Sequence, residues 1–468
     1  MKQPIKQLRT FLLALLPAAL MALTPVSAKE TPPEGSAPKA FTLTAQRSIS
    51  LPNGLNVTFV QYGNTPKVTV RLLTETGSVD DGAKDAVSEL AYQLLLEGSK
   101  NRDAKAIAQA AATMGGQVNA VVDVNSSFLE LDVLSEFAGE AAALLADIVI
   151  HPNFTEADKN RLLTNYVRDL KVEKSQAQSQ AAEAFYRHIF GNHPYGKIYA
   201  DEKVVEGLTL DDFNQFVNTH LVASRSHLFV SGQFDEAKAE AAIRDAFAAM
   251  PQGAGRVLTT ADSAAKPGLV FIPRDKAVQS TVRIGLPVVD PSHPDYVGLD
   301  LMNTLLGGAF SSRITRNIRE DKGYTYSPGS AISNRIKAAV WFEQADVTAE
   351  ATAAALVEII KEIKLLQNTP PTEQELNGFK NYKGGIFVLQ NSSRSAIINQ
   401  LWRLKTHGLP LSALENYVQQ TNAVTPQQLS DLAKKYLPLE NMTLVVVGDE
   451  SVKAQLAAVP ELKALFKL

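Results

Sequence analysis

Two stretches of the chain carry the same succession of hydrophobic and polar positions. The first, Phe41 to Met250, opens with an apolar run from Leu55 to Gln61. An alternating run follows from Lys67 to Leu73, then a periodic apolar segment, Ser88 to Leu96, that stops before Gly98. The second, Gly268 to Leu468, repeats this order as Gly268 to Ile272, Ser280 to Leu286, and Asp295 to Leu306 ahead of Gly307. Short runs with a period of two predict strands, and longer periodic runs ending at glycine predict helices. The match continues with Asp132-Val133 before the alanine-rich Ala138 to Ile150, and Asp346-Val347 before Thr352 to Leu366. Thr155-Glu156 and Thr372-Glu373 each place a capping hydroxyl and an acidic first turn at the start of a long helix. Both stretches close on a strand and a glycine, Leu228 to Gly232 and Leu444 to Gly448. A repeat on this scale predicts duplication of one unit. Neighbouring strands with alternating faces between Gln117 and Val133 make that unit α+β: two homologous domains, each a mostly antiparallel or mixed β-sheet flanked by α-helices.

The expected domains are therefore residues 41–250 and 268–468. The stretch 251–267 between them has no aromatic residue and reads as a linker. Residues 29–40, with Pro32, Pro33 and Pro38, read as a flexible spacer. Ahead of it, Lys2, Lys6 and Arg9 precede an apolar run from Phe11 to Leu23, and Val26-Ser27-Ala28 has the form of a cleavage site. Residues 1–28 thus read as a secretory signal peptide, which places the protein in the periplasm. As a helix the apolar run would rise about 20 Å, short of the roughly 30 Å of a bilayer core, so no membrane span is expected.

Composition narrows the chemistry. With 468 residues, 45% hydrophobic and 20% charged, the chain has the makeup of a folded protein. A net charge of -3, with the leader wholly basic, gives no footprint for nucleic acid. There are no cysteines, hence no disulfide, thiol nucleophile or thiolate metal site. Zinc hydrolases place paired histidines on one helix face, but no two of the seven histidines here are three or four apart; His188 and His193 are the nearest. A G-x-S-x-G elbow is absent, and Gly307-Gly308 lacks the G-K-[ST] of a phosphate loop. Residue chemistry alone leaves no visible catalytic machinery.

One string changes the picture. Leu305-Leu306-Gly307-Gly308-Ala309-Phe310-Ser311-Ser312-Arg313 leads to Ile318-Arg319-Glu320, Gly323 and Tyr326. Gly77-Ser78, Glu97-Gly98-Ser99, Gly115-Gly116 before Asn119-Ala120, and His193-Pro194-Tyr195-Gly196 accompany it. These strings, in this duplicated layout, resemble the insulinase family, which includes pitrilysin and the mitochondrial processing peptidase. The resemblance implies a two-domain metallopeptidase fold over residues 41–468. Active members carry an H-x-x-E-H zinc motif before the helix-ending glycine and a distant Glu. The matching positions here are Glu89, Tyr92 and Gln93, with Asp169 for the distant Glu. Both metal histidines and the base are replaced, so the resemblance implies no metal in this chain. Glu89 and Asp169 alone are a thin shell for a hard cation.

What the family keeps in its second domain is an Arg with a Tyr seven residues later, here Arg319 and Tyr326. A guanidinium and a phenol suit a peptide carbonyl and the oxyanion that develops when it is attacked. Asn119 and Ala120 match the family's substrate-edge strand. Some relatives divide the site between a zinc-bearing and a zinc-less chain. The resemblance therefore implies a non-catalytic, substrate-binding subunit, with zinc held by an H-x-x-E-H partner and a peptide or unfolded protein as substrate. The other reading is a structural or peptide-binding scaffold with no role in proteolysis.

Overall fold

The computed structural model describes residues 41–43, 45–258, 261 and 266–468. The expected signal peptide and spacer, and residues 259–260 and 262–265 of the expected linker, lie outside them. Alternation in the central strands builds two sheets. The first contains β1 (Gln46–Ser50), β2 (Asn56–Gln61), β3 (Lys67–Thr74), β4 (Val118–Val122), β5 (Ser127–Leu134) and β6 (Ser226–Gly232), in the order β1-β2-β6-β3-β5-β4. The second contains β7 (Gly268–Pro273), β8 (Gln279–Val288), β9 (Gly329–Arg335), β10 (Ala338–Thr348) and β11 (Thr443–Gly448), in the order β7-β11-β8-β10-β9. Apart from β1 the two orders superpose strand for strand. In each sheet the closing strand is parallel to the opening one, β6 to β2 and β11 to β7, and every other pairing is antiparallel.

The helices repeat as well. In the first half they include α1 (Val87–Leu95), α2 (Ala104–Thr113), α3 (Ala138–Ile150), α4 (Glu156–Lys174), α5 (Ala177–Phe190), α6 (Leu210–His220) and α7 (Glu236–Ala246). In the second they include α8 (Tyr296–Asn303), α9 (Thr352–Asn368), α10 (Glu373–Gln390), α11 (Arg394–His407), α12 (Pro426–Tyr436) and α13 (Glu450–Ala458). Both expected caps form. The Thr155 hydroxyl accepts from Asp158 N–H at 3.1 Å, and the Thr372 hydroxyl accepts from Glu375 N–H at 3.1 Å.

One face of each sheet packs on helices of its own half. Val68, Val70 and Leu72 of β3 join α1 and α3 in one core, and Val282, Ile284 and Leu286 of β8 join α8 and α9 in another. The opposite faces are covered by exchange. Helix α11 lays Ile397, Ile398, Leu401 and Trp402 on Val60, Leu73 and Phe229 of the first sheet. Helix α5 lays Ala181, Phe185 and Ile189 on Val340, Val445 and Val447 of the second. Gly285 of β8 makes room for this, since a Cβ there would meet Phe185 Cζ at 2.9 Å and the Trp341 carbonyl oxygen at 2.2 Å.

These covered faces carry polar residues with specific partners. Arg71 of β3 donates through Nε to Glu130 at 2.6 Å, stacks on Phe128 at 4.2 Å and donates to Asn399 of α11. Its counterpart Arg283 donates through Nε to Gln344 at 2.9 Å and stacks on Phe342 at 4.2 Å. Asp132 receives Arg394 at the start of α11 (2.8 Å), and Asp346 receives Gln178 at the start of α5 (2.8 Å). Burial lowers the pKa of both arginines. Asn399, Arg394 and Gln178, supplied by the other half, add to the partners that Arg71, Asp132 and Asp346 find in their own sheet.

The second core also holds one isolated charge-bearing group. Glu343 of β10 is fully buried with neither carboxylate oxygen hydrogen-bonded by a side chain, and burial holds its pKa well above the ordinary value. Gly307 is a glycine because of it, since a Cβ there would lie 2.4 Å from Glu343 Oε2.

Two outcomes are expected. Phe185→Ala should lower the unfolding free energy by about 3–5 kcal/mol. Because α5 and α11 tie the halves together, the two tryptophans, Trp341 in the second sheet and Trp402 on α11, should report one shared urea transition. Separate midpoints in single-tryptophan variants would show the halves to be independent. Glu343 should release its proton only in the unfolded chain as pH rises past 4.5, so its contribution to stability falls above that pH. The gap between Glu343→Gln and the parent should therefore widen in favour of the variant between about pH 5 and 8; parallel stability profiles would exclude a protonated Glu343.

Candidate functional site

Helix α1 presents its zinc-motif positions in two directions. Tyr92 is turned into the core with 2% exposure, its phenol hydrogen-bonded to Thr74 and Ser127, and burial pushes its pKa up. Gln93 is half-buried, and Glu89 stands at the mouth of a cleft of about 680 Å³. Although the Glu89 side chain reaches solvent, protein crowds its carboxyl group and raises the pKa, while the Tyr166 hydroxyl donates to it and opposes the shift. Glu173 adds like-charge repulsion. Tyr166 itself is raised by burial and by the Glu89 carboxylate.

The acidic residue that α4 turns toward Glu89 is thus Glu173, not Asp169, which corrects the expectation from the spacing. Asp169 is 69% exposed and paired with Arg168 at 2.9 Å. Leu163, Val167 and Leu170 form the buried stripe of α4. At about 100° per residue, Tyr166 and Glu173 flank that stripe, whereas Asp169 lies roughly 125° from its centre. Counting residues missed this; counting helix faces would have found it.

The other carboxylates of the cleft already have partners. Asp81 accepts from the N–H groups of Ala86 and Ser88, both at 3.0 Å, and anchors the start of α1; burial raises its pKa to about 7. Asp85 is paired with Lys197 and accepts from Asp201 N–H at 2.8 Å. Among the described residues no group of three or more histidines and carboxylates is placed to hold a metal ion. A buried phenol, an amide and a tyrosine-bound carboxylate do not fit zinc. A peptide could still reach the cleft. β4 is a free sheet edge bearing exposed Asn119 and half-buried Ala120, and its last residue, Val122, lines the cleft.

In the second half Arg319 and Tyr326 come together. The segment from Arg313 to Asp321 is helical and anchored from two sides. Arg313 forms a fork with Glu375 at 2.8 and 2.7 Å, and Asn317 donates to Glu358 at 2.9 Å and Glu362 at 2.7 Å. Gly323 then takes φ +66°, where a side chain would be strained, and reverses the chain. A hydrogen bond from Thr325 to the Asp346 carbonyl (2.7 Å) ties the returning strand to β10. The Arg319 guanidinium consequently lies between two rings, 4.4 Å from the centre of Phe310 and 4.9 Å from Tyr326. Phe310 is 67% and Tyr326 80% exposed. Stacking fixes the plane of the guanidinium, whose Nε edge meets Glu320 at 3.2 Å. Phe310, part of the sequence string but given no role there, is a member of this cluster. The residues around Glu89 and those around Arg319 form two separate clusters, one in each half.

Comparison with known proteins agrees with this geometry. Residues 57–203 match the family model described as insulinase (peptidase family M16), and residues 207–382 match that described as the peptidase M16 inactive domain. A Rickettsia bellii protein described as an uncharacterized zinc protease is 25% identical over 332 residues, 69% of this chain and 79% of its own. A Helicobacter pylori protein described as a non-peptidase homolog is 23% identical over 378 residues, 80% of this chain and 87% of its own. A crystal structure of a peptidase M16 inactive domain from Pseudomonas fluorescens superposes with a TM-score of 0.80 at 25% identity, covering 86% of this chain and 98% of that one. With two models of one family running almost without a break from residue 57 to 382, this chain belongs to the insulinase family, peptidase family M16.

Proposed function

We propose that this chain is a catalytically inactive M16 protein that serves as the substrate-binding subunit of a periplasmic heteromeric zinc metalloendopeptidase. Its partner is an insulinase-family chain bearing H-x-x-E-H, and zinc belongs to that partner. The observation that carries this reading is the contrast between the halves. Tyr92 fills the position of the base with a buried ring, whereas Arg319, held between the exposed rings of Phe310 and Tyr326, has only the adjacent Glu320 as an ionic partner, through Nε. A fixed guanidinium can hold a peptide carbonyl, and the Tyr326 hydroxyl can donate to the oxygen on which negative charge develops. The free edge of β4 offers main-chain pairing to an extended peptide without selecting its sequence.

The same free edge favours a second reading, a scaffold that binds peptide and takes no part in its cleavage. The two differ in whether the partner's activity depends on this chain.

Purified alone, the protein should contain no stoichiometric zinc by elemental analysis and should cleave no peptide. Mixed with its H-x-x-E-H partner it should support hydrolysis, and Tyr326→Phe should lower kcat by about 10²-fold, the usual effect of removing one oxyanion donor. Arg319→Ala should lower kcat/KM at least as far, because it removes a donor and unstacks Phe310. Complex formation, followed by size-exclusion chromatography, should be unchanged in both. Full turnover by both variants would leave the scaffold reading standing.

A further inference from the structure

Where the two halves meet, a cavity of about 440 Å³ opens between the β4–β5 turn of the first half and the β9–β10 turn of the second. Arg71 lies on one wall, and the last two turns of α11 supply Asn399, Arg403 and His407. Its polar lining is rich in donors, set among Leu73, Val121, Phe128 and Ile336. Arg71 is neutralised by Glu130 and holds the side-chain oxygen of Asn399, which leaves the Asn399 amide N–H groups to the cavity. The side-chain oxygen of Asn125 is taken in the same way by the Tyr195 hydroxyl at 2.8 Å, leaving its N–H groups free. Arg403 donates to a neutral acceptor, Gln400, at 3.1 Å. Arg335 donates only through Nη1, to the Ser333 hydroxyl at 3.1 Å and the Asn334 carbonyl at 2.9 Å. Arg335 Nε and His407 Nδ1 are shut away from solvent with no hydrogen-bond partner.

A buried polar atom without a partner costs about 1–3 kcal/mol, and two of them beside two guanidiniums that lack a carboxylate form an unusual combination. Asp123, the acidic residue of the lining, accepts from the N–H of Val124 and offsets part of the positive charge. The C-terminal end of α11 contributes about half a negative charge, which does not cancel the remainder. The imidazole of His407 is kept neutral by burial and by nearby Arg403 and Lys337, against the pull of Asp290, so an arriving negative charge would favour its protonation.

We propose that this inter-half cavity is a binding site for a small oxyanion, a carboxylate or phosphate group bearing one or two negative charges, held by Arg335 and Arg403 with the amides of Asn125 and Asn399 and the ring of His407. Cavity size and an excess of unmatched donors over the single acidic group, Asp123, agree on that class. The site borders the Glu89 cleft, with which it shares Val122 and Asp123, and is separate from the Arg319 cluster. Its occupant would bridge the two turns and thereby tie the halves together beyond the helix exchange.

Isothermal titration of the full chain with succinate and, separately, inorganic phosphate tests this at low ionic strength. One saturable site is expected for at least one of the two, and the preferred probe distinguishes carboxylate from phosphate. Binding should be accompanied by proton uptake, seen as a dependence of the heat on the ionisation enthalpy of the buffer, and uptake should vanish in His407→Gln. Arg403→Ala and Arg335→Ala should each weaken binding at least tenfold, while Arg187→Ala, on the rim of the Glu89 cleft, should leave it unchanged. Arg403→Lys keeps the charge but loses the fork and should fall between; thermal unfolding without ligand confirms that each variant is folded. Absence of saturable binding by both probes, or equal binding by Arg403→Ala and Arg335→Ala, would overturn the assignment.

Discussion

Everything else in the molecule depends on the exchange of α5 and α11. A sheet that packs on helices of its own half through one face leaves a second face to cover, and here each half covers the other's. The exchange is specified by more than apolar area. A residue in the first turn of each exchanged helix, Gln178 and Arg394, reaches an aspartate on the receiving sheet, Asp346 and Asp132. A mispositioned helix would take a partner from each of these half-buried carboxylates, a directional requirement that apolar contact does not impose. The halves therefore share one core arrangement, and both the Glu89 cleft and the Arg319 cluster are set on a common frame.

That exchange also marks the limit of what the sequence made legible. The strands themselves, the capping threonines and the closing strand-and-glycine units follow from periodicity, because local alternation and local capping require no knowledge of distant partners. The alternation in Lys67 to Leu73 was read correctly as a strand, but its polar positions, Thr69 and Arg71, look like a solvent face. They are buried, at 1% and 3% exposure, because a helix more than 300 residues away lies over them. Nothing local distinguishes an arginine facing water from one facing another half's asparagine. The aromatic content of Ala177–Phe190, with Phe185, Tyr186 and Phe190, hinted at a buried face without saying what it faces.

The candidate site divides along the same line. Arg319 and Tyr326 were legible because they are joined by a short segment whose turn is set by Gly323, so sequence spacing translates directly into contact. Asp169 was misread because its expected partner lies on another helix. There the helix face decides, and the face belongs to Tyr166 and Glu173. At the position of the base, the Tyr92 phenol is drawn into the core and bonded by Thr74 and Ser127, and α1 gains a packing residue there.

Polar satisfaction then separates the two halves by what each still offers to the outside. In the cleft of the first half, Asp81, Asp85 and Glu89 all have acceptor capacity committed to partners within the chain. A site whose charged groups are internally neutralised has little left with which to stabilise charge on a bound molecule. In the second half Arg319 pairs with the adjacent Glu320 through Nε at 3.2 Å, and its other neighbours are two aromatic rings exposed to solvent. Two exposed rings and a cation between them constitute a surface that gains by being covered, since burial removes apolar area from water and strengthens the ring–cation attraction as water is excluded. The half that lost its metal position has turned that chemistry into structure. The second half instead keeps Arg319 and Tyr326 beside exposed rings at its surface.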